Sequence, residues 1–446
     1  MSYTLDVSYR GILKIALPIS LGTFVQFIVV FTDNLMLSRV SNLALNAAGN
    51  GGLLYIGLSM LAVGLSAGVQ ILIARRYGEG KYQEAAAIFV NALPLAFITG
   101  AILFLVMLFA EKVVLSNLIH DDALRQSMFN YLDIRLLGFF VYPILLVYNG
   151  LHTGMAKTAV LFAVTMAMGL VNLAGDYVFI FGKLGFPAMA EKGAALGSLM
   201  SEIAGLAIML CHARFARHLK ILKLREVFKE LPLTYSRKIL NLSIPLMGQQ
   251  FLAVSTWTMF YFMVEKMGEE ALTISHITRA VYFLAFITLF GISQTTRTLV
   301  STLIAESRQQ ELIPVIKRLI LINLFGVFVL AHGMFLYPEF LASLFGNNPE
   351  IIAGTGNVLR FIFGAAVLFC FSSVFINTLE GSGYTRYALW IEVSAITIYS
   401  ITSYLSIFIY PQPLYVVWMN DYVYFAIIGL SSLFLLIRLP WKHRQI

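Results

Sequence analysis

Five side chains able to hold a cation or a proton stand inside otherwise apolar runs of this 446-residue chain: Asp33, Asn172, Asp176, Ser198 and Glu202. Asn172 and Asp176 are four residues apart, which puts them on one face of a helix. Ser198 and Glu202 share a face in the same way. A carboxylate inside a membrane helix is costly and usually marks an ion or proton pathway. Asp33, Asn172, Asp176 and Ser198 together offer oxygen ligands only, a set that suits a hard cation such as Na⁺. Equally, two desolvated neighbouring carboxylates can share one proton. The residue types leave Na⁺ and H⁺ both open. Glu202, one turn deeper than Ser198, is expected to face the protein interior. There it either extends the ion path or bonds another helix of the first half.

A second pair of charges, Arg297 and Glu392, falls at similar depth from one side of the membrane, counted at about 1.5 Å per residue. Intramembrane charges pair or face water, so a structural ion pair between them is expected. Other chemistries lack their residues. The seven histidines form no HExxH or similar spacing, and neither a P-loop nor a GxSxG elbow occurs. Cys211 and Cys370 are far apart in apolar stretches and read as packed thiols rather than a disulfide or metal pair. An enzyme is therefore not expected, and no cofactor beyond a coupling ion is implied. Gln26, Asn46, Asn50, Tyr55, Gln70, Tyr142, Asn149 and His152 are polar or amphipathic positions of the first half, suited to helix–helix hydrogen bonds.

The elements that must position these residues are membrane helices. Apolar residues make up 59% of the chain and charged ones 12%, against about a quarter charged in a soluble domain. Mean hydropathy is +0.82. Spans of the ~20 residues that a bilayer requires are expected near 11–37, 48–76, 85–110, 126–153, 158–181, 193–213, 238–264, 273–304, 315–337, 353–379, 385–410 and 414–438. Pro18 and Pro143 fall inside them and should bend their helices. The net charge of +8 is not read as a nucleic-acid surface, because the bases gather on one side of the membrane. Arg214, Arg217, Lys220, Lys223, Arg225 and Lys229 crowd one loop, with Arg10, Arg75, Arg76 and Arg444 on the same side. The positive-inside rule then places both termini and that loop in the cytoplasm, which an even number of spans requires.

The chain also repeats itself. Shifting Ile12-Leu13 onto Ile239-Leu240 brings Pro18 onto Pro245, Phe24 onto Phe251, Tyr55 onto Tyr282, Gly64 onto Gly291 and Glu79 onto Glu306 without a gap. Each half has six spans, so the halves share one orientation, an arrangement found in transporters whose substrate sits between repeats. The expected fold is an all-α integral membrane protein of twelve transmembrane helices in two six-helix bundles related by a pseudo-twofold axis. Its parts are residues 1–213, a cytoplasmic linker 214–237, and residues 238–446. The repeat breaks where the chemistry sits: Asp33 falls opposite Phe260, and Asn172 and Asp176 opposite Ile401 and Leu405.

These motifs resemble the MATE (multidrug and toxic compound extrusion) family over nearly the whole chain. The resemblance rests on ALPISLGTFVQFIVVFTDNLMLSRV, on GLSAGVQILIARRYGEGKYQEA, and above all on GLVNLAGDYVFIFG followed by KGAALGSLMSE. It implies that Asp33, Asn172, Asp176 and Ser198 form a cation site, with Ser198 where the family usually has Thr. Span seven offers Gln249 and Gln250 where some branches carry a glutamate, and span ten has no central acid. The resemblance is thus to DinF-like branches with a first-lobe site. It implies an Na⁺- or H⁺-coupled antiporter, monomeric in a bacterial inner membrane, exporting amphipathic and often cationic drugs among membrane lipids. The alternative is a lipid-linked oligosaccharide flippase of the wider superfamily. An Arg- and Lys-lined cavity would suit that activity, and the first-half candidates are instead acidic or neutral.

Overall fold

The structure is a computed structural model that describes residues 5–119, 121–230 and 233–446. Among these residues there is no strand. The principal helices are α1 (Tyr9–Ser38), α2 (Asn42–Gly78), α3 (Tyr82–Phe109), α4 (Asp122–Arg135), α5 (Tyr142–Gly154), α6 (Ala159–Phe181) and α7 (Glu191–Phe215). They continue as α8 (Ser236–Glu265), α9 (Glu269–Ala305), α10 (Leu312–Ala331), α11 (Pro349–Gly381), α12 (Thr385–Tyr404) and α13 (Asn420–Arg438).

Among the described residues, ten helices are long and apolar enough to cross a membrane, and an eleventh span is the bent pair formed by α4 and α5. The 30-residue α8 completes the twelve; its Asn241, Ser243, Gln249 and Gln250 dilute its apolar character. Helix ends follow local chemistry. The Ser41 hydroxyl accepts the Ala44 N–H at 3.0 Å and starts α2, and Gly182 ends α6 at φ 66°, where a side chain would be strained. The expected linker 214–237 is helical in part, with 3₁₀ turns at Arg217–Leu222 and a short helix at Leu224–Glu230. Residues 231–232 of it lie outside the described residues.

The two prolines behave differently. Pro18 sits inside α1 without interrupting it. Pro143 opens α5 after a 3₁₀ stretch, Leu136–Phe140, and the two arms of that span meet at 43°. Proline lacks the N–H that would bond back along the helix, so the break falls just before it.

Packing divides the chain into two compact units, Leu21–Met247 and Met1–Ser20 with Gly248–Ile446. Repeat-related glycines show why the dividing lines fall inside α1 and α8. In the first unit, a methyl added to Gly64 of α2 would lie 2.4 Å from the Met247 backbone. In the second, a methyl on Gly291 of α9 would lie 2.0 Å from the Ser20 hydroxyl and 3.0 Å from the Ala16 carbonyl. Small residues let membrane helices close to backbone contact, and that packing supplies much of their association. Each second helix of a repeat thus grips the opening turns of the other repeat's first helix. The Leu21–Met247 unit has a core of Leu37, Tyr55, Met107, Phe139 and Ile180. The other unit is centred on Phe260, Tyr282, Leu359, Cys370 and Trp418.

Candidate functional site

All five polar residues singled out in the first half lie in the Leu21–Met247 unit. Helices α6 and α7 touch at glycine: a methyl on Gly175 would stand 3.0 Å from the Gly197 Cα. This contact seats Asp176 against α7, so that a methyl on Gly197 would sit 2.2 Å from Asp176 Oδ1. One turn back along α6, Asn172 donates from Nδ2 to the Ser198 hydroxyl at 3.5 Å. Asp33, on the later part of α1, places its carboxyl within hydrogen-bonding reach of Asp176. Asn172 and Asp176 are buried, and Asp33 and Ser198 are half-buried.

The oxygens of this cluster are short of donors. Among the described residues, no protein donor reaches Asp33 Oδ1, Asn172 Oδ1 or either carboxylate oxygen of Asp176. Two ionised carboxylates side by side have no hydrogen to share, and buried acceptors are rarely left in that state. A proton between the carboxyls, or a small cation among the oxygens, meets the need directly.

Glu202 faces the interior of the same unit, bound by α4 and α2. Arg135 donates from Nη2 to Glu202 Oε1 at 2.8 Å, and both side chains are nearly sealed from solvent. The Tyr55 hydroxyl donates to the same carboxylate at 3.3–3.4 Å, and the Arg135 guanidinium lies 3.8 Å from the centre of the Tyr55 ring. The break between α4 and α5 makes room for this group, since a methyl on Gly138 would meet Glu202 Oε2 at 2.6 Å and the Tyr55 hydroxyl at 2.5 Å. Arg135 also stands within electrostatic reach of Asp33. With Arg135 paired to Glu202, no cation among the described residues forms an ion pair with Asp33 or Asp176. Sequence reading passed over Arg135, although a lone arginine within an expected span is itself a signal.

The expected Arg297–Glu392 ion pair is replaced by another. Arg297 donates from Nη1 to Glu380 Oε2 at 3.0 Å and to Asn377 Oδ1 at 2.9 Å. Both partners lie on α11, which packs tightly against α9. Glu380 was missed because the tenth span was expected to end at residue 379, whereas α11 runs to Gly381 and keeps Glu380 buried. Glu392 instead accepts hydrogen bonds from the Tyr424 hydroxyl and from the Gln249 side-chain amide Nε2, the latter at 3.5 Å. Asp421, also unremarked in the sequence, is a further buried acid of this unit, with Oδ2 lacking a donor among the described residues.

Comparison with known proteins adds three lines. The MatE family profile matches residues 18–178 and 245–405, two stretches whose starts differ by the same shift that pairs Ile12 with Ile239. The chain is 25% identical over 378 residues to the "Probable multidrug resistance protein NorM" of Thermotoga maritima, covering 84% of this chain and 80% of that protein. It is 20% identical over 451 residues to "Multidrug resistance protein MdtK" of Yersinia pestis, covering 98% and 96%. A solved structure described as the outward-facing conformation of a multidrug resistance MATE family transporter of the MOP superfamily superposes with a TM-score of 0.86 at 19% identity. It covers 98% of this chain and 97% of that one.

Proposed function

The chain belongs to the MatE family of membrane transporters, and from that premise we propose that it is a cation-coupled antiporter exporting amphipathic, often cationic drugs. The observation that carries this reading is the Asp33–Asp176 pair, two adjoining carboxyls with three of their four oxygens lacking a protein donor and no cation paired to either among the described residues. Entry of Na⁺ or H⁺ at Asp33, Asn172, Asp176 and Ser198 supplies the cation that these oxygens lack, and its release on the other side returns the site to its receptive state. Coupling follows if the loaded and unloaded sites favour different conformations, since a ligand shifts an equilibrium only by its differential affinity. The names of the relatives support drugs as substrates, and no feature of the site favours the flippase alternative. In this reading the repeats 1–213 and 238–446, joined by 214–237, alternate access as a monomer. The bacterial relatives support an inner-membrane location, and the Arg and Lys loop bias supports cytoplasmic termini.

The test is efflux of a fluorescent organic cation from proteoliposomes under separately imposed Na⁺ and H⁺ gradients. One gradient should drive efflux by the native protein, and Asp33→Asn and Asp176→Asn should each abolish that stimulation while the protein still elutes as a folded species. Gradient-driven transport at the native rate by either variant would remove the proposal.

A further inference from the structure

Three histidines converge at the far end of the Leu21–Met247 unit from the carboxylate cluster. His152 is in the last turn of α5, His212 in the last turn of α7, and His218 in the 3₁₀ turn Arg217–Leu222. Ser198 and His212 stand fourteen residues apart on α7, so about 20 Å separates the two places. The ring centroids are 5.2 Å apart for His152 and His212, 5.7 Å for His152 and His218, and 5.4 Å for His212 and His218. One ring nitrogen from each residue lies within 4.8 Å of the others.

Ring packing alone does not account for this group. His152 is wholly buried, and neither of its nitrogens has a protein partner among the described residues. His212 Nε2 and His218 Nε2 are likewise buried and unpartnered. A neutral imidazole carries one donor and one acceptor, and leaving both unmet on a buried ring is costly. The three rings could satisfy one another only in pairs, and among the described residues no hydrogen bond joins them. A metal ion satisfies three nitrogens at once.

We propose that His152, His212 and His218 form a binding site for a late first-row divalent cation, Zn²⁺ in the first instance. Three imidazoles with an open fourth position are an established zinc ligand set, and imidazole nitrogen suits Zn²⁺ where carboxylate oxygen suits Ca²⁺ or Mg²⁺. In a tetrahedral site the ligand nitrogens stand about 3.3 Å apart, given Zn–N bonds of ~2.05 Å. Closing from the present separation takes modest rotations of the two half-buried rings, His212 and His218. Ligation needs neutral rings. Lys157 repels a bare dication, so the affinity rests on the imidazoles. The bound ion fastens the ends of α5 and α7 to the first turn of the segment that follows α7.

The experiment uses the full chain purified in detergent without a polyhistidine tag, stripped with EDTA and dialysed. Equilibrium dialysis against ZnCl₂ should find one more equivalent of zinc on the native protein than on the His212→Ala/His218→Ala double variant. Zinc should raise the thermal unfolding midpoint of the native protein by a few degrees and leave that of the double variant unchanged. Co²⁺ should give the visible absorption of a tetrahedral nitrogen site in the native protein alone. Both substitutions fall on half-buried rings, so the comparison does not depend on replacing the buried His152. Asp33→Asn should retain the extra equivalent, which separates this site from the transport proposal. Equal zinc content in the native and double-variant proteins, or an equal thermal shift in both, would overturn the inference.

Discussion

Replacing Arg297 by methionine should strip from Glu380 the one cation that pairs with it among the described residues. The pair stands at 3.0 Å with side chains 9% and 2% exposed, so water does not replace the lost partner. Breaking a buried pair from one side costs about 3–5 kcal/mol, whereas replacing both members is often close to neutral. Each kcal/mol moves the unfolding midpoint of a domain of this size by about 2–4 °C. Arg297→Met should therefore lower the midpoint by roughly 6–20 °C, and Arg297→Met/Glu380→Met should recover most of the loss. Glu392 provides the control. Its own partners are Tyr424 and Gln249, so Arg297→Met and Glu392→Gln should combine with a coupling well under that of Arg297 with Glu380. The protein carries its own probe in Cys370, buried in the core of this unit. A thiol-reactive dye on a Cys211→Ala background reads unfolding through it. Additive losses for Arg297 and Glu380, or a stronger coupling of Arg297 with Glu392, would refute the assignment.

Two further outcomes follow from other contacts. Gly197→Ala places a methyl 2.2 Å from Asp176 Oδ1, so it should displace the carboxyl and cut gradient-driven efflux at least tenfold, a loss of about 1.4 kcal/mol in the coupled step. Efflux at the native rate would show that Asp176 need not occupy this position. At the end of α2, burial raises the proton affinity of Glu79, but hydrogen bonds from Lys81 and Arg76 outweigh it and hold the carboxyl below its usual 4.5. A depressed acid stabilises the fold above its unfolded value and loses that contribution as pH falls through the folded value. The native protein should thus out-melt Glu79→Gln at neutral pH, and the gap should close on acidification well below 4.5; a gap that does not change with pH counts against the contact.

Much of the fold could be read in advance, because apolar run length and local repeats are properties of neighbouring residues. The expected 158–181 span is α6 almost residue for residue. The gathering of Asp33, Asn172, Asp176 and Ser198 was legible for a related reason: each is a polar interruption at comparable depth. What could not be read depends on which helices face each other. Arg135 and Glu202 sit on α4 and α7, and no spacing rule links them. Glu380 hid behind a span boundary misplaced by two residues. His152, His212 and His218 belong to three separate segments, so a search for histidines at motif spacing passes over them. The membership of the chain's opening segment in the later unit shows in contacts at Gly291 and hydrogen bonds to Glu306, Arg308 and Arg318, none of which hydropathy registers.

That membership bears on how the chain is made. The opening segment finds its hydrogen-bonded partners late in the sequence: Leu5 donates its N–H to Glu306 at 3.4 Å, Arg308 donates to the Leu5 carbonyl at 2.9 Å, and Arg318 donates to the Val7 carbonyl at 2.7 Å. The whole stretch Leu21–Met247 is synthesised before the rest of that unit begins to appear. At a ribosomal rate of about 5–20 residues per second, this interval lasts roughly 10–45 s. The first turns of the first helix are therefore made that long before the residues they bond, while an entire unit is completed ahead of their own. A halt in translation before Glu306 would leave a nascent chain whose earliest residues have not yet met their partners.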